Sequence, residues 1–249
     1  MAAPYDEIAR SYRETVRDMP IRAMLQFAFD QRVGEVAGTS VLDLACGDGS
    51  HTRSYRMRGA TRVVGLDVSK NMIALAMEDE QAEPLGIEYV VGDARDPGKL
   101  GDFDLVTAMF FLHYAASRDE LLGMCRRAHE NLKPGGRFIA LNNNVPKWPE
   151  LDGKRFEKYG ITWQSMSEPL QEGDTMRLSL VVGENRVEFD NYFLPWSAYQ
   201  WAFETAGFQS VEVQDALPLS PELEQQLGRE HWAYLLEHPT FIIIECRKI

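Results

Sequence analysis

With 249 residues, 45% of them hydrophobic and 26% charged, the chain can bury a sizeable core and reads as one large globular α/β domain. A formal net charge of −12 without any Lys/Arg run argues against a phosphate-backbone partner, and the longest apolar runs, "TAMFFL" and "FIII", are too short to span a bilayer. The charged N-terminus lacks a secretory apolar segment, and the scattered Cys46, Cys125 and Cys246 suit a reducing cytoplasm without disulfides or a metal site. The expectation is a cytoplasmic monomer or homodimer whose partner is a free small molecule, with no nucleic acid and no membrane.

In chain order, Pro4 to Arg13 and Ile21 to Val36 carry apolar residues at helical spacing. "SVLDLA" reads as a buried strand and "SHTRSYRMRGA" as a short helix stopped at Gly59. "RVVGLD" is a second strand, and Ser69 caps a helix through "KNMIALAMEDE". "IEYVVGD" and "FDLVTAMFF" follow as strands. Next comes a helix opened by Ser117 and Glu120 in capping-box spacing and ended at "KPGG", Lys133 to Gly136. "RFIALNN" makes a fifth strand. Strands alternating with helices predict βαβ units and a parallel sheet.

After Asn144 the rhythm changes. Val145 to Asp174 reads as irregular, and "TMRLSLVV" and "RVEFDNYFL" as a hairpin turning at Gly-Glu-Asn. "SAYQWAFETAGF" is a helix, "QSVEVQDA" a strand, Ser220-Pro221 a helix start and "TFIIIECRK" a closing strand. The expected organisation is a single domain, 1–249, with a helical cap over 1–36, a binding core over 37–144, a lid and hairpin over 145–195, and the rest of the sheet over 196–249.

In an open parallel sheet the ligand lies beyond the carboxyl ends of the strands. "VLDLACGDGSHT" brings Asp43, Gly47 and Gly49 to the first strand end. A dinucleotide fingerprint requires a third glycine where this chain has Thr52. Asp67, twenty residues after Gly47, is placed to hold ribose hydroxyls, and Asp93 at the third strand end can accept from an adenine amino group. An apolar cluster with one histidine, "AMFFLHYA", closes the fourth end. Adenosine contacts without a pyrophosphate turn point to an adenosine carrying an amino-acid tail, whose ammonium Asp43 could attract. S-adenosylmethionine (SAM) has those parts.

The successive segments "VLDLACGDG", "VVGLDVSKNMIALA", "YVVGDARD", "FDLVTAMFFLHYA" and "ENLKPGGRFIALNN" resemble the motifs of class I SAM-dependent methyltransferases. "PYDEIARSYR" and "NLKPGGRFIALNNN" are more narrowly similar to toxoflavin synthase-type enzymes, which methylate ring nitrogens of a fused heteroaromatic. The resemblance implies a Rossmann-like, seven-stranded, mostly parallel sheet with the last strand antiparallel, plus N-terminal helices and an inserted lid. It also implies that Ala45, Gly47 and Gly49 frame the methionine part and that Asp67 holds the ribose. Val68 and Met72 would flank the adenine, Asp93 and Ala94 would meet its edge, and Met109 and Tyr114 would lie near the sulfonium. Tyr5 and Tyr12 resemble tyrosines of an N-terminal helix that folds over SAM.

Methyl transfer from a sulfonium needs alignment and exclusion of water more than acid–base chemistry. His113 is the histidine placed to act as a base, though a strand-end histidine is more often a packing or hydrogen-bonding residue. Phe110, Phe111, Trp148, Tyr159, Trp163, Tyr192 and Trp196 are the candidate aromatic walls for a planar substrate; alternation in "VEFDNYFL" makes part of this set core. The expected activity is N- or O-methylation of a small planar metabolite, in natural-product (antibiotic) biosynthesis. A nicotinamide-dependent oxidoreductase would share the glycine turn and Asp67 but lacks the third glycine and a Tyr-x-x-x-Lys pair. A non-catalytic SAM-binding protein and a protein methyltransferase are further alternatives.

Overall fold

The computed structural model describes residues 6, 9–17, 19–182 and 185–249, without the side chains of residues 145, 146, 182 and 185. In chain order the elements are α1 (Ala9–Arg17), α2 (Pro20–Val33), β1 (Ser40–Leu44), α3 (Ser50–Met57), β2 (Arg62–Asp67), α4 (Lys70–Ala82), β3 (Glu88–Val91) and β4 (Phe103–Met109). They continue with α5 (Arg118–Glu130), β5 (Leu132–Asn143), β6 (Ile161–Ser165), β7 (Thr175–Val182), β8 (Asn185–Tyr192) and α6 (Trp196–Ala206). The chain closes with β9 (Ser210–Gln214), α7 (Pro221–Leu227), α8 (Arg229–Glu237) and β10 (Phe241–Arg247). Short 3-10 turns lie at Leu112–Tyr114, Val145–Glu150 and Gly153–Tyr159.

The main sheet has seven strands in the order β3-β2-β1-β4-β5-β10-β9. Strands β1 to β5 pair in parallel, and β10 runs antiparallel to both β5 and β9, as the sequence predicts. Strand β1 is fully buried, which suits its unbroken apolar run around Asp43. The strand order reverses between β1 and β4, so a crevice opens at their carboxyl ends. One face of the sheet packs against α2 and the inner side of a second, three-stranded sheet; the other packs against α5 and α6.

The second sheet, β6-β7-β8, lies in the segment after β5. Its register sets Ile161 opposite Leu180, Trp163 opposite Leu178, Leu178 opposite Phe189 and Met176 opposite Asn191. These form one face, while the other carries the Arg177–Asp190 ion pair at 2.8 Å. The hairpin is therefore as expected, with its Gly183-Glu184 tip outside the described residues, but the segment before it is not wholly irregular. "ITWQS" adds a third strand because its two apolar residues alternate onto the buried face of the hairpin.

Other boundaries also moved. α1 runs to Arg17, and Pro4 and Tyr5 lie outside the described residues. α2 ends at Val33 because Gly34, at φ +69°, terminates it. α5 ends at Glu130, and "KPGG" is a bulge inside β5: Leu132 pairs with Phe103, then Arg137 with Leu105. The helix starting at Ser220 is two, because Gly228 at φ +76° divides α7 from α8.

Candidate active site

The turn after β1 is the centre of the site. Asp43 is buried; its Oδ2 accepts from Thr52 Oγ1 at 2.7 Å and its Oδ1 from Thr107 Oγ1 at 2.8 Å. The residue that replaces the third glycine of a dinucleotide loop is thus the hydrogen-bond partner of the site's carboxylate. Burial pushes the Asp43 carboxyl up to about 6, against the opposing pull of the two threonine hydroxyls. Asp67 Oδ2 accepts from the Gly47 amide at 2.9 Å and its Oδ1 from the Ser69 amide at 2.8 Å, so the end of β2 fixes the glycine turn. Burial raises its carboxyl too.

The two loop glycines serve different needs. Gly47, at φ +57°, has open space where a side chain would project. Gly49, at φ +74°, would place a Cβ 2.4 Å from the Tyr89 hydroxyl and 2.9 Å from Ala76, so it is required by packing against β3 and α4. Two non-glycine residues also adopt the left-handed region, Ala45 at φ 57° and Phe110 at φ 59°. Each such residue costs on the order of 1–2 kcal/mol, and both stand at the crevice.

A cavity of about 180 Å³ opens there. Asp43, Ala45, Gly47, Met109, Phe110, His113, Tyr114 and Tyr12 line it, which brings together eight of the residues singled out in the sequence. Its wall also includes Met19, Arg22, His51 and Asn143, with Ile161, Leu178, Leu180, Phe189 and Asn191 from the inner face of the second sheet. Spacing did not point to these. The inward alternation of "RLSL" and the polar run "LNNN" at a buried strand end were the available signals.

The remaining candidates lie elsewhere. Asp93 is held bidentately by Arg95, with bonds of 2.7 to 3.1 Å, on the exposed end of β3. Val68 is exposed, and Met72 is buried beside Ala9 and Leu75. Ala94 and Phe111 are buried in the core shared with α5 and α6. Trp148 stacks on Trp163 at 5.8 Å, and Tyr159 donates its hydroxyl hydrogen to the His231 carbonyl at 3.0 Å while stacking on Trp232, so these three pack the lid instead of lining the cavity. Trp196 stacks on Tyr199, and Tyr192, at the end of β8, is half-buried outside the cavity wall. Indole and phenol rings this large are held in core whenever a strand or turn can bury them.

His113 is buried, and its Nδ1 lies 3.0 Å from Asn142 Oδ1. The Asn142 amide nitrogen donates onward to the Tyr199 hydroxyl at 3.3 Å, which turns its oxygen to the ring and sets the Nδ1–H tautomer. Nε2 is then an acceptor, and it has no partner among the described residues. Burial pushes both His113 and His51 down to about 3. His51 sits edge-on between Phe29 and Tyr55.

These residues fit SAM better than a dinucleotide. Asp43, Asp48 and Asp67 are all buried around the loop, an arrangement that repels a pyrophosphate and attracts a sulfonium and an ammonium. Arg22, at the cavity wall 4.0 Å from Asp48, can meet the carboxylate of the methionine tail. The cavity beside the loop is mostly apolar, as a planar methyl acceptor requires.

Comparison with known proteins agrees. Residues 41–136 match a methyltransferase domain model. The chain is 30% identical to N-demethylindolmycin N-methyltransferase of Streptomyces griseus over 82% of this chain and 78% of that protein. It is 35% identical to demethylmenaquinone methyltransferase of Lactococcus lactis, but that match covers 52% of this chain and only 51% of the relative. A SAM-dependent methyltransferase structure from Clostridium acetobutylicum superposes with a TM-score of 0.67 at 18% identity, covering 99% of both chains, and so shares the fold. The chain belongs to the class I SAM-dependent methyltransferases.

Proposed function

We propose that this enzyme methylates a nitrogen or oxygen of a small planar, aromatic or heteroaromatic metabolite in a biosynthetic pathway of the cytoplasm. The observation that carries the reading is the cavity: carboxylates and the glycine turn on the β1 side, and apolar side chains of the second sheet opposite. The Streptomyces griseus relative, named as an N-methyltransferase, supports a nitrogen acceptor. Three buried free cysteines support a reducing compartment, and no helix among the described residues is long and apolar enough to cross a membrane.

Bound SAM supplies an activated methyl group. The residues of the chain would position it: Asp67 would take the ribose hydroxyls, Val68 would flank the adenine and Asp93 would meet its edge once Arg95 is drawn from Asp93, with the buried Met72 and Ala94 backing that site. Asp43 and Arg22 would hold the two charges of the amino-acid tail. Met109 and Tyr114 would border the methyl group, with Tyr12 of the N-terminal segment over the cofactor. His113 Nε2 accepts a hydrogen bond from the nucleophile and orients it; an imidazole pushed this low is a weak base, so orientation is its contribution. The second sheet excludes water.

Calorimetric titration with SAM and with NAD tests the reading, followed by transfer of labelled methyl to planar heterocycles. SAM binding without NAD binding is the expected result, and Asp67→Ala should weaken SAM by about ten-fold or more, the scale of one charged hydrogen-bond partner lost. Binding of NAD in preference to SAM overturns it.

A further inference from the structure

A line of buried polar side chains runs behind the cavity: Tyr199, Asn142, His113, Asn143 and Asn191, each no more than 2% exposed. Asn143 Nδ2 donates to Asn191 Oδ1 at 3.0 Å and so orients that amide; it lies 3.3 Å from His113 Nδ1, whose hydrogen is directed to Asn142. His113, Asn143 and Asn191 all contribute to the cavity wall. Asn191 is also polar where the other buried positions of that face of the second sheet, Ile161, Trp163, Met176, Leu178, Leu180 and Val187, are apolar. Buried polar groups are almost always hydrogen-bonded, and an unmade bond destabilises the fold. In this line two nitrogens remain without a partner among the described residues, His113 Nε2 and Asn191 Nδ2. Their characters are opposite: in the tautomer set by Asn142 the first only accepts, while the second, with Oδ1 taken by Asn143, donates.

We propose that His113 and Asn191 together select an acceptor substrate with an N–H donor beside a carbonyl oxygen, the edge of a lactam or cyclic imide. His113 Nε2 accepts from the ring N–H, and Asn191 Nδ2 donates to the carbonyl. A fixed donor–acceptor pair rejects analogues lacking either group, because one buried nitrogen stays unpaired, whereas an apolar wall discriminates weakly between isosteres. The inference deepens the proposed function and rests on it for taking this cavity as the acceptor pocket.

Three bicyclic probes test it by calorimetry, on the protein alone and saturated with S-adenosylhomocysteine: 2-quinolinone, with both groups; indole, with the donor only; and quinoline, with the acceptor only. Wild type should bind 2-quinolinone about ten-fold or more tighter than either of the others. His113→Phe should erase the advantage over quinoline, and Asn191→Leu the advantage over indole. Asn191→Asp keeps the shape, replaces the donor by an acceptor and should weaken 2-quinolinone as Leu does, so that a packing defect in the Leu variant is recognised. Equal binding of the three probes, no binding of 2-quinolinone, or a preference that survives these substitutions overturns the proposal. Failure to bind S-adenosylhomocysteine counts against the methyltransferase reading instead, and the probe order on the protein alone is read separately.

Discussion

At the scale of single residues, Thr52 and Asp43 connect the loop sequence to its chemistry. Thr52→Val keeps the shape and removes one of the two hydroxyl donors to a buried carboxylate. The expected loss is about 1.5–3 kcal/mol, the worth of a hydrogen bond to a charged group, read from the urea midpoint. The same pair sets a pH dependence. With Asp43 raised to about 6, its carboxylate is neutralised as pH falls through 6, and the attraction for a cationic ligand goes with it. SAM affinity measured from pH 7 to pH 5 should therefore fall, and Asp43→Asn should bind more weakly but with a flat profile. The missing glycine was legible in the sequence, and so was a compact ligand. The bond between Thr52 and Asp43 was not, because it joins residues nine apart across a turn whose left-handed dihedrals no local pattern encodes.

Among elements, the strands and helices up to Asn143 follow their sequence periodicity because each is amphipathic or wholly buried over its own length. The second sheet was harder to read. β6 has five residues and no turn residues of hairpin type beside it, and its place depends on pairing with β7 eleven to nineteen residues along the chain. Aromatic residues in that segment suggested substrate walls, yet Trp148 and Trp163 stack on each other and Phe156 packs 4.8 Å from Trp163. Tertiary packing claims the large rings, and the aliphatic face of the hairpin reaches the cavity. Gly153 holds this arrangement in place: a Cβ there would lie 2.2 Å from the Trp163 carbonyl oxygen. Gly153→Ala should displace β6 and weaken acceptor binding while leaving SAM affinity, which in the proposed site rests on β1 and β2, within about two-fold. Separate titrations of the two ligands check this.

For the molecule as a whole, buried ionisable groups predict the response to acid. His51 and His113, pushed down to about 3, stay neutral in the fold but take protons at 6.5 once unfolded. Their contribution is complete above pH 6.5 and declines as pH falls toward 3. Asp43 has the opposite sign: its folded form keeps a proton between about 6 and 3.8 that the unfolded chain releases, so it stabilises as pH falls. Asp67, also raised by burial, adds to Asp43, but the two histidines, each shifted further than Asp43, set the sign. The urea midpoint should drop from pH 7 to pH 5, and in a His51→Phe, His113→Gln double variant it should hold or rise.

Walls drawn from both ends of the chain's order also dictate a kinetic sequence. Tyr12, Met19 and Arg22 of the N-terminal helices, and Leu178 and Phe189 of the second sheet, enclose the same space over the β1 turn. In the proposed arrangement a cofactor seated against Asp43 would lie beneath an acceptor held by the second sheet, so the acceptor would bar its path if bound first. Steady-state analysis should show a compulsory order, with SAM first on and S-adenosylhomocysteine last off. S-Adenosylhomocysteine should then compete with SAM but inhibit noncompetitively against the acceptor, and its escape, not methyl transfer, should set the turnover number.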